Sequence, residues 1–330
     1  MDSSVPPPEL VANLTLGHLA ARCLHLIAEH GVADALGEQS ATAAELARRS
    51  GTNADALARM LRLLAAHGVF RLEAGAYVHT PASRLLRSDH PQSMRAYARM
   101  IGSPAIYGGV AQLDHPLRTG KPAIDSATLF ARFAEHPEES AVFNEAMVGK
   151  SASVIPAVVD AYDFSQFGVV ADVGGGRGHF LQAILERAPS TNCILFDLPH
   201  VIEDAAGIAS PRLKLAAGDF FIDPLPTANA YALMEVIHDW ADTEAAKILA
   251  AIRRAAPRHA RVLIVETTVS EDPGPQFGKT LDIVMLAVTG GRERTPSEYA
   301  QLLAGAGFRL ERIVPTASAY SVIDGVVAEA

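Results

Sequence analysis

A glycine-rich run, Asp172-Val-Gly-Gly-Gly-Arg-Gly178, is the strongest chemical signal in the sequence. Glycines let backbone N–H groups approach a ligand closely at the start of a helix. The run does not match the G-x-G-x-x-G dinucleotide pattern, because His179 stands where the third glycine is needed. Glycines at 174, 176 and 178 therefore indicate a nucleoside-like cofactor without a pyrophosphate, with a tight strand-to-helix turn as the alternative.

Acidic residues follow the next two predicted strands. Asp197 ends the first of them, where nucleotide-binding sheets place an acid that accepts the ribose hydroxyls. Its alternative role is to cap the following helix. Asp219 precedes Phe220, and an acid beside an aromatic ring can bind an adenine edge and stack on its face.

A histidine follows the fourth predicted strand, in His238-Asp-Trp240. The carboxyl ends of parallel strands are where such sheets carry their chemistry, so His238 is a candidate general base. A structural histidine is the alternative. Glu266 ends the fifth strand and Glu293 lies in a later loop, and these two acids could orient an imidazole and stabilise its cation.

The N-terminal elements predict a winged helix. Residues 14–36 have the apolar spacing of a helix, and Thr42-Ala-Ala-Glu45 fits a capping box. Asn53 can cap a second short helix, and Val69–Leu72 with Tyr77–His79 reads as a hairpin. Helix, turn, helix and two-stranded ribbon is the order of a winged helix.

Beyond residues 81–165, which we predict to be mostly helical, short β-branched runs alternate with helices such as Asp242–Ala255. This alternation predicts an α/β fold with a doubly wound, mostly parallel sheet. The last two strands are joined by a short turn and should pair antiparallel. The seven predicted strands are Val169–Val173, Cys193–Asp197, Leu213–Ala216, Ala230–Met234, Val262–Glu266, Arg309–Val314 and Ser321–Val327.

Five motifs occur in one order at suitable spacings. They are Asp172–Gly178, Phe196–Pro199, Gly218–Phe220, His238–Trp240 and Gly290–Thr295. Together they resemble the S-adenosylmethionine-dependent O-methyltransferases of the caffeic-acid or hydroxyindole type, over about residues 10–328. The resemblance implies a Rossmann-like seven-stranded domain with an N-terminal winged-helix dimerisation domain. We expect a dimerisation domain at 1–90, a helical linker and pocket wall at 91–165, and a cofactor-binding domain at 166–330.

For the chemistry, the resemblance implies that His238 deprotonates a hydroxyl, usually phenolic, of an aromatic small molecule. Glu266 and Glu293 match the acids that hold this histidine. Met147, Asp239 and Met285 match positions that contact the acceptor, with core packing as the alternative for the methionines.

For the cofactor, the resemblance assigns Gly174 and Gly176 to the methionine part of S-adenosylmethionine. Asp197 would bind the ribose, and Asp219 and Phe220 the adenine. Met234 stands beside the adenosine, where plant members have a lysine.

Composition narrows the class of protein. The net charge of −9 argues against nonspecific nucleic-acid binding, and Cys23 and Cys193 are too few for a disulfide scaffold. No metal-ligand spacing occurs, so we expect no metal. With no apolar run near 20 residues, we expect a cytoplasmic protein with no membrane partner. Residues 14–36 are more apolar than the surface helix of a monomer needs to be, so we expect a homodimer, and the acidic charge leads us to expect no nucleic-acid partner. High alanine and arginine content suggests a GC-rich bacterium, where such enzymes often modify secondary metabolites.

Two alternatives stay open. The first is an enzyme of the same fold that binds the cofactor without transferring its methyl group, as hydroxylase, decarboxylase or pericyclase. The retained His238, Glu266 and Glu293 argue against it. The second is a winged-helix transcription regulator, in which Arg59 and Arg62 would contact phosphates.

Overall fold

A computed structural model describes residues 5–328, without the side chains of residues 127, 130, 131, 134 and 153. The described residues pack into two compact units, one formed by residues 5–108 and 131–150, the other by 109–130 and 151–328. The three-segment division with boundaries near residues 90 and 165 stays a prediction.

The first unit begins with helices and a hairpin. Thr42 and Glu45 form the predicted capping box, and Asn53 accepts hydrogen bonds from two backbone N–H groups at the start of its helix. The order of helix, turn, helix and two-stranded ribbon is the predicted one. The elements are α1 (Pro7–Glu29), α2 (Val32–Leu36), α3 (Ala43–Ser50), α4 (Ala54–Ala66), β1 (Phe70–Glu73), β2 (Ala76–His79), α5 (Pro81–Arg84) and α6 (Arg95–Ile101).

The prediction of one helix over residues 14–36 is wrong. Gly31 has a φ of +60°, in the left-handed region, so the chain ends α1 and starts α2 there. The expectation that no segment approaches a membrane span also fails for α1. Within residues 5–328, α1 alone is long and apolar enough to pass that test, which the core helix of a soluble protein also passes.

The segment predicted to be mostly helical does contain a series of helices. They are α7 (Pro104–Ala111), α8 (Asp114–Thr119), α9 (Ser126–Glu135) and α10 (Pro137–Ala161).

The rest of the second unit alternates strands and helices. Its elements are β3 (Val169–Val173), α11 (His179–Arg187), β4 (Asn192–Asp197), α12 (Pro199–Asp204), β5 (Leu213–Ala217), β6 (Ala230–Met234), α13 (Asp242–Ala255), β7 (Arg261–Glu266), α14 (Phe277–Val288), α15 (Pro296–Gly305), β8 (Phe308–Pro315) and β9 (Ser321–Val327).

The seven strands form one sheet in the order β5-β4-β3-β6-β7-β9-β8. The first five are parallel, and β8 and β9 pair antiparallel, as predicted. The structure adds that β9 also pairs antiparallel with β7. The strand order reverses between β3 and β6, and ligands of such sheets bind outside the carboxyl ends of the strands at that point. The glycine-rich loop follows β3 and His238 follows β6, so both lie at the reversal.

Apolar residues cover both faces of this sheet. On β6, Tyr231 and Leu233 belong to one buried cluster and Ala230 and Ala232 to another. Successive side chains of a strand point to opposite faces, so a strand buried on both sides reads as a continuous apolar run. This packing holds the strand ends that carry the polar residues.

Candidate active site

A short turn after β6 carries the predicted base. Residues Ile237–Asp239 form a single 3-10 turn, and the His238 side chain is almost fully buried. Glu235, just before the turn, has a φ of +56°, which non-glycine residues seldom adopt. Its carboxylate accepts a hydrogen bond of 2.7 Å from the Tyr320 hydroxyl. A strained residue held in place this way redirects the chain from the strand into the turn.

His238 and Glu293 form a buried pair. The distance between His238 Nδ1 and Glu293 Oε1 is 2.6 Å. The second carboxylate oxygen, Oε2, accepts a hydrogen bond of 2.6 Å from the Thr267 hydroxyl. A carboxylate only accepts hydrogen bonds, so Nδ1 carries a proton and the neutral imidazole keeps its lone pair on Nε2.

Glu266 takes a different place from the one predicted. Its Oε1 accepts a hydrogen bond of 3.0 Å from the backbone N–H of His238, and its Oε2 accepts one from the buried Tyr299 hydroxyl. Glu266 therefore holds the backbone of the turn, while Glu293 contacts the imidazole. The reason is the register of two neighbouring strands. Glu266 is the last residue of β7, which pairs with β6, so its carboxylate lies beside the backbone that follows β6 and not beside the imidazole ring.

The charges around His238 change its pKa. Burial lowers it, but the hydrogen bond to Glu293 and the negative charges of Asp239, Glu266 and Glu293 outweigh burial and raise the pKa of His238 to about 10. Burial also raises the pKa of Glu266. Stabilisation of the imidazolium is the effect expected from acids near the ring.

The glycine-rich loop has one packed side and one open side. Its glycines 174, 176 and 178 all have positive φ, between +58° and +76°. A Cβ on Gly175 would lie 2.4 Å from Asp172 Oδ2, whereas a Cβ on Gly176 would meet nothing within 4 Å. Asp197 braces the loop, since its Oδ2 accepts the Gly176 N–H at 2.8 Å and its Oδ1 the Leu198 N–H at 2.7 Å. Neither contact caps α12, whose N-cap residue Leu198 has no side-chain cap hydrogen bond, so the capping alternative is not borne out.

The predicted adenine residues lie near this loop. A Cβ on Gly174 would be 3.9 Å from the Phe220 ring, so loop and ring are neighbours. Phe220 packs edge-on against Trp240, with centroids 6.0 Å apart. Asp219 Oδ1 accepts the Phe221 N–H at 2.8 Å, which shapes the turn.

The remaining predicted residues divide between the two units. Asp239 Oδ1 is 3.8 Å from His238 Nε2, and Met234 is partly exposed at the end of β6. Met285 is buried on α14, its sulfur 3.7 Å from the Thr289 hydroxyl. Met147 belongs to the other unit, on α10, and its contact with the acceptor stays a prediction.

Four residues of this site were not predicted. Thr267 and Tyr299 hold the two acids, and Asp282 accepts the backbone N–H of Glu293 at 2.9 Å. Arg294 is fully buried and reaches the turn that carries His238. Only Arg294 had a signal in the sequence, because it lies inside the Gly290–Thr295 motif.

Comparisons with known proteins agree with this geometry. Residues 112–309 match the model of the O-methyltransferase domain, and residues 12–89 match that of the O-methyltransferase dimerisation domain. The chain is 40% identical to the phenazine O-methyltransferase of Lysobacter antibioticus over 331 residues, which cover 97% of this chain and 96% of that protein.

Solved structures extend the agreement to the whole fold. Human N-acetylserotonin methyltransferase in complex with S-adenosylmethionine matches with a TM-score of 0.88 at 26% identity, covering 100% of both chains. An O-methyltransferase from neocarzinostatin biosynthesis, in complex with S-adenosyl-L-homocysteine and 1,4-dihydroxy-2-naphthoic acid, matches with a TM-score of 0.77 at 31% identity. That match covers 94% of this chain and 96% of the other.

Proposed function

The chain belongs to the family of S-adenosylmethionine-dependent O-methyltransferases, and on that premise we propose that it methylates a phenolic hydroxyl of an aromatic small molecule, with His238 as the general base. The observation that carries this proposal is the 2.6 Å contact between His238 Nδ1 and Glu293. It assigns the proton to Nδ1 and leaves Nε2 to receive one from the acceptor.

The residues at the strand reversal fit the cofactor. The open side of the loop at Gly176 leaves space for the methionine part, and the Asp197 carboxylate has lone pairs left for the ribose hydroxyls. Phe220 offers a ring for the adenine, with Asp219 and Met234 beside it. Bound there, S-adenosylmethionine supplies an electrophilic methyl group on a sulfonium.

His238 acts on the acceptor oxygen. As this oxygen gains the methyl group, its proton moves to Nε2, and the resulting imidazolium is stabilised by Glu293 at Nδ1. Glu266 and Tyr299 keep the backbone of the turn in place during this transfer. The role of the protein is to align the oxygen with the methyl carbon and to provide the base.

The raised pKa of His238 makes its neutral imidazole a stronger base than a free histidine, which suits an acceptor as weakly acidic as a phenol. In the free enzyme at pH 7 the imidazole is mostly protonated. Turnover should therefore rise as the pH increases from 7 towards 10.

The aromatic character of the acceptor is supported by the relatives. Their names include a phenazine and a dihydroxynaphthoic acid. We assign Met285 to the wall of the acceptor pocket, and Asp239, within 3.8 Å of Nε2, to the substituents next to the reacting hydroxyl.

We also propose that the protein is a homodimer formed through its N-terminal unit. Residues 12–89 match a dimerisation domain. Large apolar side chains along α1, among them Leu14, Leu16 and Leu19, are exposed in the single chain, and a surface of this kind usually marks an interface.

His238→Gln tests the proposed base. We expect turnover to fall roughly 10²–10⁴-fold, with the dissociation constant of S-adenosylmethionine nearly unchanged. The loss should be smaller for more acidic phenols, because they ionise without help. Transfer of labelled methyl from pH 6 to 10, on acceptors of graded acidity, measures this.

The exposed His259 provides the matched control, since His259→Gln makes the same chemical change away from the site. Full activity of His238→Gln at pH 7 on a weakly acidic phenol would show that His238 is not the base. Absence of labelled product from the unmodified enzyme with every acceptor would favour an enzyme that binds the cofactor without transferring methyl.

A further inference from the structure

The loop Gly290–Arg294 lies directly on the turn that carries His238. The backbone N–H of Arg292 donates a hydrogen bond of 2.9 Å to the His238 carbonyl. A Cβ on Gly291 would lie 1.9 Å from that same oxygen, so only glycine permits this approach. Loop and turn therefore pack backbone against backbone.

Arg294 bridges the two ends of that turn. Its Nη1 donates to the Ile237 carbonyl at 3.2 Å, and its Nη2 donates to the Trp240 carbonyl at 3.0 Å. These carbonyls flank His238 and Asp239 in the chain. One rigid guanidinium thus spans the segment that presents the base.

Asp242 holds the guanidinium from the other side. Its Oδ1 accepts hydrogen bonds from Arg294 Nε at 3.0 Å and Nη2 at 2.8 Å. Asp242 begins α13, and its side chain is 59% exposed, whereas that of Arg294 is fully buried. The ion pair neutralises a buried cation and ties the turn to a long helix of the second unit.

We propose that Arg294 is a positioning residue for methyl transfer, which holds His238 and Glu293 in the geometry that general-base catalysis needs. The inference rests on the proposed function of His238. Arg294 holds the turn that carries His238 by donating hydrogen bonds to the carbonyls of that turn. It also holds Glu293, because Glu293 directly precedes Arg294 in the chain. A displacement of about 1 Å in such a pair can cost about 10² in rate.

Only arginine has the geometry for this role. Its planar guanidinium carries five N–H donors, and here they reach two turn carbonyls, the Arg292 carbonyl and the Asp242 carboxylate. A lysine ammonium is a single nitrogen, so it can keep the ion pair but cannot span both ends of the turn.

Arg294→Lys is the variant that tests this inference. We expect kcat to fall about tenfold to a hundredfold, with KM and the dissociation constant of the cofactor nearly unchanged. The acidic limb of the pH–kcat profile should move to lower pH, because a looser contact with Glu293 stabilises the imidazolium less. A purely structural role would lower the melting temperature without moving that limb.

Two controls accompany this variant. Arg309→Lys makes the same chemical change at an exposed arginine on β8, whose side chain pairs with the exposed Glu311, so kcat should stay at the wild-type value. Asp242→Asn removes the outer anchor of Arg294 while leaving the buried arginine in place. It should lower kcat and move the limb in the same direction, which keeps the test available if Arg294→Lys does not fold.

A double-mutant cycle with His238→Gln separates the outcomes. If Arg294 acts through His238, Arg294→Lys lowers kcat in the wild type but not in the His238→Gln background. An equal loss in both backgrounds, or an unmoved limb, overturns the inference and leaves the proposed function intact. If His238→Gln itself keeps full activity, the proposed function fails instead.

Discussion

At the scale of single residues, Asp172 is a buried carboxyl under the glycine-rich loop. Neither of its oxygens has a hydrogen-bond partner within residues 5–328. Burial, with a smaller contribution from the charge of Asp197, raises the pKa of Asp172 to about 7. Gly175 lies so close that any side chain there would collide with this carboxyl. Asp172 therefore makes the stability of the folded chain depend on pH.

We predict that the contribution of Asp172 to the free energy of unfolding falls as the pH rises from about 4 to about 7. Over this range the unfolded chain releases the Asp172 proton, whereas the folded chain keeps it or carries a buried charge. Each pKa unit is worth about 1.4 kcal/mol, so the effect is at most a few kcal/mol. Urea unfolding of the cofactor-free enzyme at several pH values measures it.

Asp172→Asn should remove this part of the pH dependence, since an amide does not titrate. The exposed Asp204 offers a control of the same chemistry, and Asp204→Asn should leave the slope as in the wild type. An Asp172→Asn variant with the full wild-type slope between pH 4 and 7 would contradict the prediction.

At the scale of elements, a buried aspartate joins the antiparallel strands of the sheet. Asp324 on β9 accepts two hydrogen bonds, of 2.8 and 2.7 Å, from Arg261 at the start of β7, and one of 3.2 Å from Arg312 on β8. The Tyr162 hydroxyl, just after α10, donates a fourth at 2.9 Å. The cluster lies at the amino end of β7, whereas Glu266 of the active site lies at its carboxyl end.

Asp324→Asn should destabilise the fold without changing cofactor affinity. It removes the charge that two guanidinium groups share, and breaking a buried ion pair costs about 3–5 kcal/mol. Because both arginine side chains reach solvent, we expect Asp324→Asn to lower the free energy of unfolding by about 2–3 kcal/mol. Denaturant unfolding measures the change. The exposed pair of Arg309 and Glu311 is the control, since Glu311→Gln should change stability by less than about 0.5 kcal/mol.

At the scale of the whole molecule, α1 is the element whose exposure is hardest to explain in a monomer. Leu16 and Leu19 are about half exposed, although α1 is apolar enough to resemble a membrane span. Ile27 and Ala28, near the end of the helix, are buried in the core of the first unit. One end of α1 is thus packed within the unit, and the other leaves apolar side chains exposed, where we propose that a second copy packs.

Leu16→Glu combined with Leu19→Glu should shift the protein from dimer to monomer, because two charges would be buried without partners in the interface. Sedimentation velocity over a range of concentrations measures the shift. Leu117 is 83% exposed and lies in the second unit, so Leu117→Glu should leave the dimer intact. A double variant that remains fully dimeric would place the interface elsewhere.

Local patterns in the sequence were enough to predict most of the elements, with an error at Gly31, where α1 and α2 were predicted as one helix. The capping box at Thr42 and the bounds of α13 agree with the structure, as do the seven strands within one residue at each end. Such features depend on neighbours a few positions away, through hydrogen bonds at helix ends and the period of apolar residues. The order of strand ends then sufficed to place the glycine-rich loop, His238 and Glu266 at the same edge of the sheet.

Only the tertiary structure decided how these residues divide their roles. Glu266 and Glu293 are equivalent as sequence signals, yet one binds the backbone of the turn and the other the imidazole. The difference depends on the register of β7 against β6 and on the path of a loop from far along the chain. The burial of Arg294 has the same origin, since its partners on the His238 turn and on α13 lie more than 50 positions away. Contacts between distant segments depend on packing in three dimensions, which spacing along the chain does not encode.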